Sequence, residues 1–261
     1  MNGVLFALLL TVLAGLATGA GGLVVMFLKT SNTKFLSACL SFSAGVMLYL
    51  AFAEILLEAF NTLEHETGNL ITGNIIVTSA FFAGIIIMAV IDKILPPADE
   101  VEESKGELKR TGIMSAVAIS IHNFPEGLIT FMAAVFDPVM GIAVAIAIVI
   151  HNIPEGISIA APIYYSTGSK MKALSASVGA GLTEPFGGII AWLLLRNIFY
   201  YDLNFVFGIA FAAVSGIMVF VAIHKLLPAA QKYGKHHLVM KWLFAGMAVM
   251  AVSLVMLEVV F

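Results

Sequence analysis

The chain has 261 residues, 61% hydrophobic and only 11% charged, with a formal net charge of −3 and a mean hydropathy of +1.03. A soluble domain is expected to be roughly a quarter charged, so most of this surface cannot face water. The small net charge and the lack of a basic patch give no reason to expect a nucleic-acid partner, and the single cysteine, Cys39, excludes an internal disulfide and a cysteine-based zinc site.

Eight segments are long enough to cross a hydrocarbon core, which takes about 20 apolar residues. They are Gly3–Leu28, Phe35–Leu57, Gly73–Leu95, Ile113–Val135, Val139–Ala161, Ala173–Leu195, Asn204–Leu227 and Trp242–Phe261. The expected fold is therefore all-α: a polytopic membrane protein of eight transmembrane helices forming one domain over residues 1–261. The segments are continuous, whereas barrel strands would be about ten residues of alternating polarity. The first has no Lys or Arg before Lys29 and is too long for a signal-peptide core. After the second, Glu58, Glu64, His65 and Glu66 form an expected acidic outer connection. After the third, residues 96–112 carry Asp99, Glu100, Glu102, Glu103, Lys105, Glu107, Lys109 and Arg110, and are expected as a solvated cytoplasmic loop.

The fourth and fifth spans contain one motif twice. Val117-Ala-Ile-Ser-Ile-His-Asn-Phe-Pro-Glu-Gly-Leu128 returns as Ile146-Ala-Ile-Val-Ile-His-Asn-Ile-Pro-Glu-Gly-Ile157. In the sixth, Glu184 lies in Gly181-Leu-Thr-Glu-Pro-Phe-Gly-Gly188. A weaker similarity joins Gly45-Val-Met-Leu-Tyr-Leu-Ala51 in the second span to Gly216-Ile-Met-Val-Phe-Val-Ala222 in the seventh. Spans five apart cross in opposite directions, so the expected plan is an inverted repeat of helices 1–3 and 6–8 around helices 4–5, an arrangement common in transporters. Of the thirteen Lys and Arg residues, all but Arg196 sort to the connections after spans 1, 3, 5 and 7. By the positive-inside rule those connections are cytoplasmic and both termini face outside a cell (inner or plasma) membrane.

Ionisable groups within a span cost about 2.5–3.5 kcal/mol each on insertion scales and need partners. His122 and Glu126, like His151 and Glu155, are four residues apart and share a helix face, with Asn123 and Asn152 alongside. Imidazole, carboxylate and amide oxygen form a ligand set for zinc, iron, manganese or cobalt. Pro125 and Pro154 remove the amides that would bond the carbonyls of Ile121 and Ile150, immediately before each histidine. One pair could be a polar packing network; two copies together with Glu184 argue for a metal centre. Against its three carboxylates, two divalent ions bring +4 and one brings +2, and either is cheaper than three unpaired anions in hydrocarbon.

The paired His-Asn-x-Pro-Glu-Gly motifs resemble the helix 4 and 5 signatures of the ZIP (Zrt-/Irt-like) metal transporters, and are most similar to the prokaryotic ZupT-like branch. The LIV-1 branch has a second histidine before the helix 5 glutamate. The resemblance extends over nearly the whole chain, through Gly45-Val-Met47, Thr183-Glu-Pro185 and His224-Lys-Leu-Leu-Pro228. It implies a divalent metal cation transporter, zinc foremost and also iron, manganese, cobalt and cadmium, with the metal as substrate and no nucleotide or organic cofactor. It implies a binuclear intramembrane site. One position would use His122, Glu126, His151 and Glu155, with Met47 as a candidate addition. The other would use Asn123, Glu126, Asn152, Glu155 and Glu184, the helix 4 and 5 glutamates bridging. Family members commonly carry a His-rich loop after helix 3, whereas this chain has no histidine between Asp92 and Thr111. His224, near the end of span 7, reads equally as a release ligand or as a helix-end residue reaching water.

The expected direction is inward, because a dication gains about 4.6 kcal/mol per 100 mV on entering a negative interior. Expected partners are divalent ions and the lipid bilayer; a homodimer is left open. The alternative is an intramembrane zinc hydrolase. It would need an open water position and a separate general base, and the duplicated ligands leave no obvious base. The chain is not expected to be an enzyme.

Overall fold

The computed structural model describes residues 2–27, 32–94, 103–197 and 203–260. Among them are eight helices long and apolar enough to span a membrane. They are α1 (Gly3–Met26), α2 (Thr33–Thr67), α3 (Leu70–Ile94), α4 (Gly106–Phe136), α5 (Pro138–Thr167), α6 (Lys170–Leu194), α7 (Asn204–Tyr233) and α8 (His236–Met256). No strand occurs among the described residues. Without water, a backbone can satisfy its own amides locally only as a helix, and long apolar runs therefore take this form. Lys29, Asp99, Glu100 and Glu102 lie outside the described residues, as does the side chain of Arg196.

Several boundaries differ from expectation. Helix α2 continues ten residues past Leu57, because Leu56, Ala59, Phe60 and Leu63 recur at helical spacing and pack inward. Glu58, Glu64, His65 and Glu66 are therefore on a helix, and the connection to α3 is only Gly68 and Asn69. Gly68 has φ 60°, the left-handed end that glycine adopts without strain. The expected loop 96–112 is helical from Glu103 onwards. Leu108 is buried there, Glu107 pairs with Lys232, and Arg110 reaches Asp92 Oδ1 at 2.9 Å. Helix α7 runs on through Pro228 to Tyr233, and α8 begins at His236, placing His236 and His237 in its first turn.

Helices α1, α4, α5 and α6 interlock as one group, while α2 packs along α8 and α3 along α7. The groups meet where α2 crosses α5 and α7 crosses α4. The weak similarity between spans 2 and 7 has a structural counterpart. Each matched stretch ends where its helix opens into a π-helical turn, Ala51–Ile55 in α2 and Ala222–Leu226 in α7. In α7 the turn lies just before Pro228, whose missing amide leaves the His224 carbonyl without an α-helical donor. In α2 the Ala51 carbonyl accepts from Ser215 Oγ at 2.8 Å, across to α7.

The packing also exchanges between the halves. A Cβ on Gly45 of α2 would collide with the Leu243 carbonyl of α8, and one on Gly216 of α7 with the Phe81 carbonyl of α3. Pairing of 2 with 8 and of 7 with 3, at matched residues, is what an inverted repeat requires. Outward faces carry large apolar side chains, such as Leu5, Leu9 and Leu16 on α1 and Val249, Val252 and Met256 on α8, as contact with lipid tails demands.

Candidate metal centre

Asp137 fixes the hairpin that brings the two motif helices together. It caps α5, its Oδ1 accepting from the amides of Val139 (2.9 Å) and Met140 (3.3 Å), and Pro138 supplies the ready-bent first turn. Both helices continue through their prolines, Pro125 and Pro154. The Pro154 carbonyl accepts from Ser43 Oγ of α2 at 2.8 Å.

Helix α6, in which the sequence places a kink proline next to Glu184, is interrupted just before it. It comprises Lys170–Gly181 and Thr183–Asn197, with a break at Leu182. The second piece starts with Thr183, Glu184 and Pro185. Proline is tolerated in a first turn because that amide has no partner to lose, and a carboxylate is favoured there by the unpaired amides. Glu184 is thus held at a helix start in mid-span. A Cβ on Gly127 would collide with its carbonyl oxygen, which sets how closely α4 and α6 approach.

Seven side chains converge. His122 Nε2 and His151 Nε2 each lie 2.9 Å from the same atom, Glu126 Oε1. His122 Nε2 is also 3.7 Å from Glu155 Oε1. Their ring centroids are 6.2 Å apart, so two imidazoles from different helices flank one carboxylate. Next to each histidine in sequence is an asparagine: Asn152 Nδ2 donates to Glu184 Oε2 at 2.9 Å and to the Ala14 carbonyl at 3.0 Å. Asn123 Nδ2 donates to Thr18 Oγ1 at 3.4 Å. All of these residues are buried, Glu126 least so, with 11% of its side chain exposed.

The unpaired atoms show what the cluster can hold. Among the described residues, Asn123 Oδ1, Asn152 Oδ1, Glu126 Oε2, both Glu155 oxygens and Glu184 Oε1 are buried acceptors without a hydrogen-bond donor. Buried polar atoms are normally paired, and these lone pairs all lack protons to accept. Divalent cations are one class of ligand that such lone pairs can accept. The distances fit: donor atoms of His122, Glu126 and His151 lie within 4.8 Å of one another. Ligands about 2.0–2.2 Å from a tetrahedral zinc stand roughly 3.3 Å apart, a few tenths of an ångström wider than the present histidine–glutamate contacts.

The structure brings together His122, Asn123, Glu126, His151, Asn152, Glu155 and Glu184. Met47 is fully buried in the main apolar cluster, one turn beyond Ser43. His224 is apart from the centre. Its ring lies tilted against that of Phe220, centroids 4.8 Å apart, and it is 3.5 Å from Asp92 Oδ2, beside Lys225, whose Nζ is 2.7 Å from Asp92 Oδ1. Sequence reasoning missed Thr18, Ser43 and the Ala14 carbonyl. Thr11 and Thr18, two turns apart among the glycines of span 1, were the available signal for a polar inner face.

Fold and centre together define an all-helical, multi-pass membrane protein with a cluster of histidine, asparagine and glutamate side chains buried between its helices. The model of the ZIP zinc transporter family matches residues 97–254. Curated relatives named zinc transporter ZupT align over nearly the full length. That of Clostridium perfringens is 48% identical, covering 98% of this chain and 97% of its own. That of Chlorobaculum parvum is 48% identical with 98% of both chains covered, and that of Streptococcus mutans 47% identical with 96% and 97% covered. The chain belongs to the ZIP family, a family of transporters and not of enzymes.

Proposed function

We propose that this protein carries divalent metal ions, zinc foremost and iron, manganese, cobalt and cadmium besides, across the cell membrane into the cytoplasm. The observation that carries the reading is the set of buried, donorless oxygens beside two imidazoles that share Glu126 Oε1. A cation is the ligand that such a set accepts, and its relatives' name supplies the preferred metal. The first position would be formed by His122, Glu126, His151 and Glu155, with the Met47 thioether as its neighbour from α2. The second would be formed by Asn123, Glu126, Asn152, Glu155 and Glu184, the two shared glutamates bridging.

Inward movement is favoured by about 4.6 kcal/mol per 100 mV for a dication entering a negative interior, and the sorting of basic residues supports termini on the outer side. The chemistry required of the protein is exchange of hydration for ligands and back again, with no bond made or broken in a substrate. A hydrolase finds no support, because every carboxylate in the cluster is adjacent to a candidate ligand position and none stands apart as a base.

The test is uptake into proteoliposomes with zinc, iron, manganese, cobalt and cadmium in competition. Stoichiometric accumulation of zinc, reduced by the other metals, is the expected result. Zinc binding without net flux would overturn the transporter reading.

A further inference from the structure

Exchange of α4 with α5 is accompanied by exchange of α1 with α6, and the correspondence can be followed residue by residue. A Cβ on Gly127 of α4 would strike the Glu184 carbonyl of α6, and one on Gly156 of α5 would strike the Thr18 carbonyl of α1. The next contacts agree. Gly187 of α6 abuts the Phe124 carbonyl of α4, and Gly21 of α1 abuts the Ile153 carbonyl of α5. Thr18 and Glu184 are separated by the same interval as Gly21 and Gly187. Thr18 therefore holds in α1 the place that Glu184 holds in α6.

The side chains obey the same exchange. Asn152 Nδ2 donates to Glu184 Oε2, and its copy Asn123 Nδ2 donates to Thr18 Oγ1. In both amides the nitrogen end is tied and the oxygen end is buried without a donor. Asn152 has a second tie, the Ala14 carbonyl; Thr18 provides the one side-chain acceptor found for Asn123 among the described residues. Thr18 is itself completely buried, so water cannot easily replace its hydroxyl.

We infer that Thr18 is a positioning residue of the second metal position: its hydroxyl accepts the Asn123 amide and turns Asn123 Oδ1 towards the ion. This rests on the two-ion reading given above. The terminal torsion of asparagine is broad and roughly two-fold. An untethered Asn123 can therefore present its NH2, which carries only donors and opposes a cation. The pseudo-symmetric placement also makes the position lopsided, with an anion from α6 facing a neutral hydroxyl from α1. Thr18 thereby holds the centre at three carboxylates where the symmetric alternative would have four.

The experiment is zinc titration and metal content of the purified full-length protein for Thr18→Val, Thr18→Ala, Thr18→Ser, Asn123→Ala and the double variant Thr18→Val/Asn123→Ala. Partners that orient metal ligands typically contribute 10–100-fold in affinity. Thr18→Val and Thr18→Ala should weaken the second zinc by about that factor, as should Asn123→Ala, and bound zinc should fall towards one per chain. Thr18→Ser should restore the wild-type titration. The double variant should lose no more than Asn123→Ala alone, since both remove one interaction; a packing defect would add to it. Thr18→Ala removes the hydroxyl without new bulk and decides the matter if Thr18→Val does not fold. Wild-type binding in both hydroxyl-free variants, or additive losses in the double variant, would overturn the assignment of Thr18. If Asn123→Ala itself kept both zinc ions, the two-ion reading would fall and the role of Thr18 with it.

Discussion

Replacing Glu126 by glutamine keeps the side chain's shape and removes its charge. In the structure Glu126 Oε1 is 2.9 Å from both His122 Nε2 and His151 Nε2, and Glu126 Oε2 is buried without a donor. One oxygen thus faces the imidazoles while the other is free to face a second ion. A glutamine has a single acceptor oxygen, so it cannot serve both sides, and its NH2 must point at one of them. Breaking a buried charge pair by removing one partner costs about 3–5 kcal/mol. At about 1.4 kcal/mol per decade that is roughly two to three and a half decades of metal affinity. Glu184 is different. Its Oε2 accepts from Asn152, and among the described residues no histidine pairs with it. Glu184→Gln should strip the second position and leave His122, Glu126, His151 and Glu155 in place. The assay pairs metal content of purified protein with initial zinc uptake in proteoliposomes. Glu126→Gln and Glu155→Gln should nearly abolish uptake, whereas Glu184→Gln, Asn123→Ala and Asn152→Ala should retain about one zinc per chain and measurable flux. Normal transport by Glu126→Gln beside a dead Glu184→Gln would refute the bridging assignment.

Two further predictions concern orientation and packing. In a Cys39→Ala background, His65→Cys, whose parent side chain is 88% exposed at the end of α2, should react with an impermeant thiol reagent outside intact cells. Lys109→Cys, near the start of α4, should react only after permeabilisation, and the reverse pattern would invert the proposed direction. Gly45→Ala should place a methyl against the Leu243 carbonyl and lower stability by about 1–3 kcal/mol, read as a lower thermal midpoint in detergent. Gly179→Ala meets nothing within 4 Å and should hold or raise that midpoint, so equal effects from both would contradict the close α2–α8 packing.

What the sequence by itself determined is what depends on short range. Eight apolar runs dictate eight helices because lipid offers the backbone no other partner. His122 with Glu126 and His151 with Glu155 share faces because four residues make about one helical turn. The duplication of that motif, and Glu184 in a third polar span, were equally visible as text. The helix ends were less legible. Leu56 to Leu63 carry an inward face that a hydropathy cut at Leu57 ignores, and Pro228 reads as a terminus until the preceding π-helical turn accommodates it. Tertiary structure decided the rest. Two identical motifs do not make a symmetric centre: both imidazoles lie 2.9 Å from Glu126 Oε1, whereas Glu155 Oε1 is 3.7 Å from His122 and neither Glu155 oxygen accepts a hydrogen bond among the described residues. Whether Asn123 faces a carboxylate or a hydroxyl depends on which residue of α1 lies opposite it. That register is set by glycine contacts between helices far apart in the chain, Gly156 on Thr18 and Gly127 on Glu184. Such pairings arise from the shapes of two surfaces meeting, and neither surface is written in the sequence of the other.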